Sequence, residues 1–128
     1  MTRRDQRIAQ GEKPPSITEQ QFQALVIDLA TRLGYDVYHT QDSRRSSAGY
    51  PDLTIAGHHL ALVAELKSAT GRVTPAQRRW LDLLSAGGWA CYVWRPDDLG
   101  EIQRVLEKNR DAWRQPRSPW RKPTTRAS

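Results

Sequence analysis

The stretch from Gly49 to Lys67 constrains the fold more than any other part of the chain. Two apolar runs, Leu53 to Ala56 and Leu60 to Leu66, flank Gly57-His58-His59, which is the pattern of an antiparallel hairpin with a tight turn. A turn at His58-His59 sets Gly57 opposite Leu60, Ile55 opposite Leu62, and Asp52 opposite Glu65. Side chains alternate along a strand, so Asp52, Glu65 and Lys67 converge on one face. Leu53, Ile55, Leu62, Ala64 and Leu66 form the apolar layer behind them.

Charges on such a hydrophobic hairpin are costly to bury unless they are paired or hold a metal. Two close carboxylates suit a hard divalent cation that prefers oxygen and keeps several waters. Lys67 is the odd member, since it adds positive charge to a cation site, and it makes chemical sense facing a phosphate or an attacking water. The plain alternative makes Glu65 and Lys67 polar residues at the rim of a strand and Asp52 the start of a turn. The register, the Pro51-Asp52 start and the apolar flanks favour the cluster.

A formal net charge of +6 on 128 residues, with a sequence pI near 10.0, points to a polyanionic partner, nucleic acid before a membrane surface. No apolar run approaches a bilayer span, and Met1 to Arg7 lacks the apolar segment of a signal peptide, so a cytoplasmic protein is expected. Cys91, the single cysteine, lies in the apolar run Trp89 to Trp94 and reads as a core thiol. That run reads as a final strand buried on both faces. His58 and His59 read as solvent-facing turn residues, and His39 carries no signal.

Three segments are expected: a flexible N-terminal arm over 1–16, a single domain over 17–109, and a basic, disordered tail over 110–128. Thr18 and Gln21 have the spacing of a capping box, and Phe22, Leu25, Val26, Leu29, Ala30 and Leu33 repeat at helical period until Gly34. Glu19 falls on the same stripe as Phe22, Val26 and Leu33, which aims an acid at the core side as a candidate metal or water ligand. Its ordinary alternative is a first-turn acid facing the helix dipole. Tyr35 to Thr40 has strand composition, and a polar loop from Gln41 leads into Pro51-Asp52. Thr74-Pro75-Ala76-Gln77 is a second helix start, with Trp80, Leu81, Leu83 and Leu84 as its apolar face and Gly87-Gly88 as its stop. Gln77 is either a capping partner or a group reaching the reaction centre. Leu99, Ile102, Val105 and Leu106 pattern a closing helix. Arg44, Arg45, Arg72, Arg78 and Arg79, with Arg114, Arg117, Arg121 and Lys122 of the tail, are candidate contacts to a phosphate backbone.

The order helix, strand, Pro-Asp strand, Glu-x-Lys strand, helix, strand resembles the αβββαβ core of the restriction-endonuclease-like α/β fold, a mixed central sheet flanked by helices. Pro51-Asp52 and Glu65-Leu66-Lys67 look like the signature of the PD-(D/E)xK nucleases. With Thr18-Glu19, Gly49-Tyr50, Thr74 to Gln77, Trp80 and Gly87-Gly88-Trp89, the pattern resembles more narrowly the VRR-NUC domain of phage and bacterial proteins. That resemblance implies that Glu19, Asp52, Glu65 and the Leu66 carbonyl hold Mg²⁺ or Mn²⁺, that Lys67 orients or deprotonates water, and that Gln77 sits close by. It further implies a homodimer cutting branched DNA such as four-way junctions. A non-catalytic DNA-binding protein on the same fold, or a nicking, restriction-type or flap nuclease, stands as the alternative.

Overall fold

The computed structural model describes residues 17–41 and 47–111. They form helix α1 (Glu19–Arg32), strands β1 (Asp36–His39), β2 (Leu53–Ala56) and β3 (Ala61–Leu66), helix α2 (Pro75–Ala86), strand β4 (Ala90–Trp94), a 3₁₀ turn (Pro96–Asp98) and helix α3 (Leu99–Asp111). The sheet order is β1-β2-β3-β4, antiparallel up to β3 and parallel between β3 and β4. This is the expected mixed sheet flanked by helices. The arm over 1–16, Arg44, Arg45 and the tail residues Arg114, Arg117, Arg121 and Lys122 lie outside the described residues.

Local chemistry explains why the elements begin where they do. In α1 the Thr18 hydroxyl accepts from Gln21 N–H, while the Gln21 side-chain oxygen accepts from Thr18 N–H. Thr74 and Gln77 repeat the arrangement at the start of α2, with Pro75 in its first turn. Each box satisfies two amides that a helix start otherwise leaves without partners. The hairpin has the expected register, with Leu53 opposite Ala64 and Ile55 opposite Leu62, closed by Gly57 N–H donating to Leu60 C=O at 2.8 Å.

One face of the sheet closes on a hydrophobic core. Leu53, Ile55, Leu62, Ala64, Leu66 and Trp94 project into it and meet Phe22, Val26 and Ala30 of α1 and Ile102 and Leu106 of α3. The Tyr35 hydroxyl, buried at the entry to β1, donates to the Leu106 carbonyl at 2.9 Å and ties α3 to the sheet. The other face carries Tyr38, Thr54, Val63 and Glu65, the alternate positions of the same strands. It is covered differently, because α2 has no buried residue and adds nothing to the core.

Three expectations fail on this second face. The strand Trp89 to Trp94 is not buried on both sides: β4 starts at Ala90, only Trp94 is buried, and Trp89 is exposed. Cys91 is partly exposed and donates to Trp89 C=O instead of packing in the core. Both follow from the place of β4 at the sheet edge, beside an amphipathic helix that shields it incompletely. Leu83, assigned to the apolar face of α2, is likewise 55% exposed. His58 and His59 are exposed in the turn, as expected.

Candidate active site

Where β2 begins and β3 ends, the chain gathers its charged residues. The Pro51-Asp52 step is held from β1: Thr40 N–H donates to Asp52 C=O at 2.8 Å, and the Thr40 hydroxyl donates to Pro51 C=O at 2.6 Å. Asp52 therefore leads into β2 with its backbone anchored, and its carboxylate Oδ2 accepts from Leu66 N–H at 2.8 Å. A side chain thus replaces a ladder carbonyl and fixes Asp52 against the last residues of β3.

Glu65 and Lys67 alternate with Leu66 and are both buried, at 2% and 8% exposure, the only charged residues so placed among those described. Lys67 Nζ lies 3.5 Å from Glu65 Oε2, longer than a tight charge-assisted hydrogen bond. Desolvation, reinforced by the Asp52 charge, pushes the Glu65 carboxyl up to about 8, and the Lys67 ammonium only partly opposes this. Near neutral pH the Glu65 carboxyl therefore holds its proton, the usual response of a buried acid with a like charge beside it. Such a donor set suits a divalent cation, which replaces that proton with a larger positive charge. Mg²⁺ in particular is commonly held by one or two carboxylates with waters completing its shell.

Glu19 is not on the core side. It is exposed at the start of α1 and lines a cavity of about 290 Å³ with Gln20, Gln23, His39, Asp52 and Leu66. Beside the start of α1 the end of the sheet borders this open cavity rather than packed core, so Glu19 faces solvent there. Among the described residues, no three acid, histidine or cysteine side chains stand close enough to form a metal cluster. Asp52 and Glu65 come together; Glu19 shares a cavity with Asp52 without closing a three-carboxylate set. Gln77 is half-buried with its side-chain oxygen committed to the Thr74 amide, its capping role. Arg72, Arg78 and Arg79 are exposed, and the last two line a shallow depression on α2 with Asp82.

Two contributors carried no sequence signal. His39 joins the acidic cavity because β1 ends beside Asp52. Arg95, just after β4, donates through Nη1 to the carbonyls of Ser68 and Gly71, both at 2.7 Å, and so clamps the loop that follows Lys67. Each is brought in by strand pairing between residues distant in sequence, which no local pattern encodes.

A family model for the VRR-NUC domain matches residues 7–96. The chain belongs to the VRR-NUC domain family. The family is of the nuclease type and falls within the PD-(D/E)xK superfamily, which implies DNA as substrate. A solved structure described as a VRR_NUC domain protein shares the fold, with a TM-score of 0.59 over 74% of this chain and 89% of that chain, at 23% identity. No curated protein matches the sequence. As a VRR-NUC domain, the hairpin and its Asp-Glu-Lys group occupy the central part of the matched region.

Proposed function

We propose that this VRR-NUC protein is a metal-dependent endonuclease that hydrolyses phosphodiester bonds in branched DNA, acting as a homodimer in the manner of a four-way-junction resolvase. One observation carries the catalytic part: Asp52, Glu65 and Lys67 are drawn together at the end of the sheet, where burial and the Asp52 charge raise the Glu65 carboxyl. Support for the branched substrate comes from the resemblance to stand-alone members of the family and from the net charge of +6. Support for the dimer comes from the two strands a junction presents and from the apolar surface left by Leu83 and Trp89.

Asp52 and Glu65 would hold Mg²⁺ or Mn²⁺, with Glu19 reaching across the cavity and the Leu66 carbonyl beside them. Bound there, the cation supplies charge neutralisation on the phosphate and a more acidic water. The protein's own groups do the remainder. Asp52 is oriented by Leu66 N–H, so its second oxygen is available to a ligand. Glu65 would offer its carboxylate to the cation, and Lys67 would set a fixed positive charge beside the phosphate and the water. Arg95 restrains the loop after Lys67, limiting how far that charge can wander. Fixed charges in a largely desolvated site need little reorganisation when charge develops on the phosphate.

The reading is tested by incubating labelled four-way junction, flap and linear duplex with the protein in Mg²⁺, Mn²⁺ or EDTA. Paired, metal-dependent cuts placed symmetrically in the junction are expected. Preferential flap cutting would move the role to flap processing, and tight binding with no cleavage in either metal would leave a DNA-binding protein.

A further inference from the structure

A second cavity, of about 340 Å³, lies on the same sheet face as Glu65 and is lined by Tyr38, Thr40, Ser47, Tyr50, Thr54 and Trp80. We infer that it is a nucleobase pocket, which takes one unpaired base of the DNA strand whose backbone runs past Asp52 and Glu65. The inference deepens the nuclease reading and rests on it for the identity of the strand.

The walls of the pocket are built into the fold. Gly49 has φ of +86°, and a Cβ there would stand 2.5 Å from the carbonyl carbon of Ala76, so the turn before β2 lies directly on the first turn of α2. That contact sets Tyr50 against Trp80, edge to face, with ring centroids 5.0 Å apart and planes at 76°. Tyr38 of β1, paired with Thr54 and 63% exposed, also lines the cavity and leaves a large aromatic surface open beside it. A lining of three aromatic rings with the hydroxyl-bearing Thr40, Ser47 and Thr54 matches a flat, polar-edged π system better than an aliphatic ligand.

Its position relative to the acids selects a base over other aromatics. Tyr50 and Asp52 are two residues apart along the chain, so their Cα atoms are separated by about 7 Å at most. The Thr40 hydroxyl that lines the pocket also holds the Pro51 carbonyl between them. A base seated against Trp80 therefore has its own or a neighbouring phosphate within reach of the carboxylates. A net charge of +6 favours the polyanion that delivers it. Fully paired duplex cannot offer such a base without unstacking it, whereas junction points, flaps and gaps already do.

The test is fluorescence of 2-aminopurine placed as the unpaired nucleotide at a flap or gap, titrated with full-length protein in EDTA so that no strand is cut. Binding should quench the probe when it is unpaired and leave it unaffected within duplex. Trp80→Ala and Tyr38→Ala should each weaken binding to the gapped DNA by roughly tenfold and leave binding to duplex unchanged, while Trp80→Phe restores it. Tyr38 is exposed, so its variant remains informative even if Trp80→Ala fails to fold. Quenching that the variants abolish, in a protein that cuts nothing in Mg²⁺ or Mn²⁺, would uphold the pocket and overturn the nuclease reading. Metal-dependent cleavage with no quenching, or variants that bind gapped DNA as tightly as the wild type, would overturn the pocket and leave that reading standing.

Discussion

The two faces of the sheet are built from alternate residues of the same strands, yet they differ in kind. The face towards α1 and α3 is closed and apolar, with Leu53, Ile55, Leu62, Leu66, Ile102 and Leu106 essentially without solvent exposure. The face towards α2 carries Asp52, Glu65, Lys67 and the Tyr50–Trp80 pair, under a helix with no buried residue. Burial drives folding on the first face, at roughly 25 cal/mol for each Å² of apolar surface removed from water. The second face retains groups that burial penalises, as the raised Glu65 carboxyl shows. A strand's period of two lets one hairpin serve both ends, since Leu66 packs inward while Glu65 and Lys67 point to the other side.

The largest expected effect breaks the comparison on the charged side. Asp52→Asn should lower metal-dependent cleavage by about a thousandfold, with little loss of stability, because the Asn carbonyl oxygen can still accept from Leu66 N–H. Asp52→Ala should also inactivate but additionally cost about 1–3 kcal/mol for the unpaired amide, measurable by urea denaturation. On the closed face the pattern inverts. Ile102→Ala, at a position with no exposure, should destabilise by about 2–5 kcal/mol while cleavage per folded molecule stays near wild type at low temperature.

A further effect comes from pH. The Glu65 carboxyl is raised in the folded protein from 4.5 to about 8, so the folded state holds its proton more tightly than the unfolded chain. The stability this contributes is complete below about 4.5 and is lost as pH rises through about 8. The melting temperature of the protein in EDTA should therefore fall across that window. Glu65→Gln should flatten the profile, and an unchanged slope in that variant would assign the titration elsewhere. Smallest of all, Arg78→Ala with Arg79→Ala should weaken DNA binding several-fold and reduce the salt slope of log K by about 1.8 if each contacts a phosphate. An unchanged slope would remove α2 from the DNA path.

How much of this was readable in the sequence differs between the faces in the same way. The hairpin register followed from a short turn between alternating runs, and the Thr18/Gln21 and Thr74/Gln77 boxes marked both helix starts, because each signal is local. The joining of Asp52 and Glu65 then followed from register arithmetic. What failed depended on tertiary position. An apolar run such as Ala90 to Trp94 looks the same in a central strand as at an edge, and a helical wheel placed Glu19 on the core stripe without showing where the sheet ends. His39 and Arg95 reach the site only through pairing between distant segments, so no spacing announced them.

The most direct measurement is to follow junction cleavage in Mg²⁺ and thermal melting on the same preparations of wild type and Asp52→Asn. A variant that melts within a few degrees of the wild type but cuts about a thousandfold more slowly is the expected result, separating the chemistry of one face from the packing of the other. A folded Asp52→Asn protein that cuts at the wild-type rate would contradict the assignment of this carboxylate to the active site.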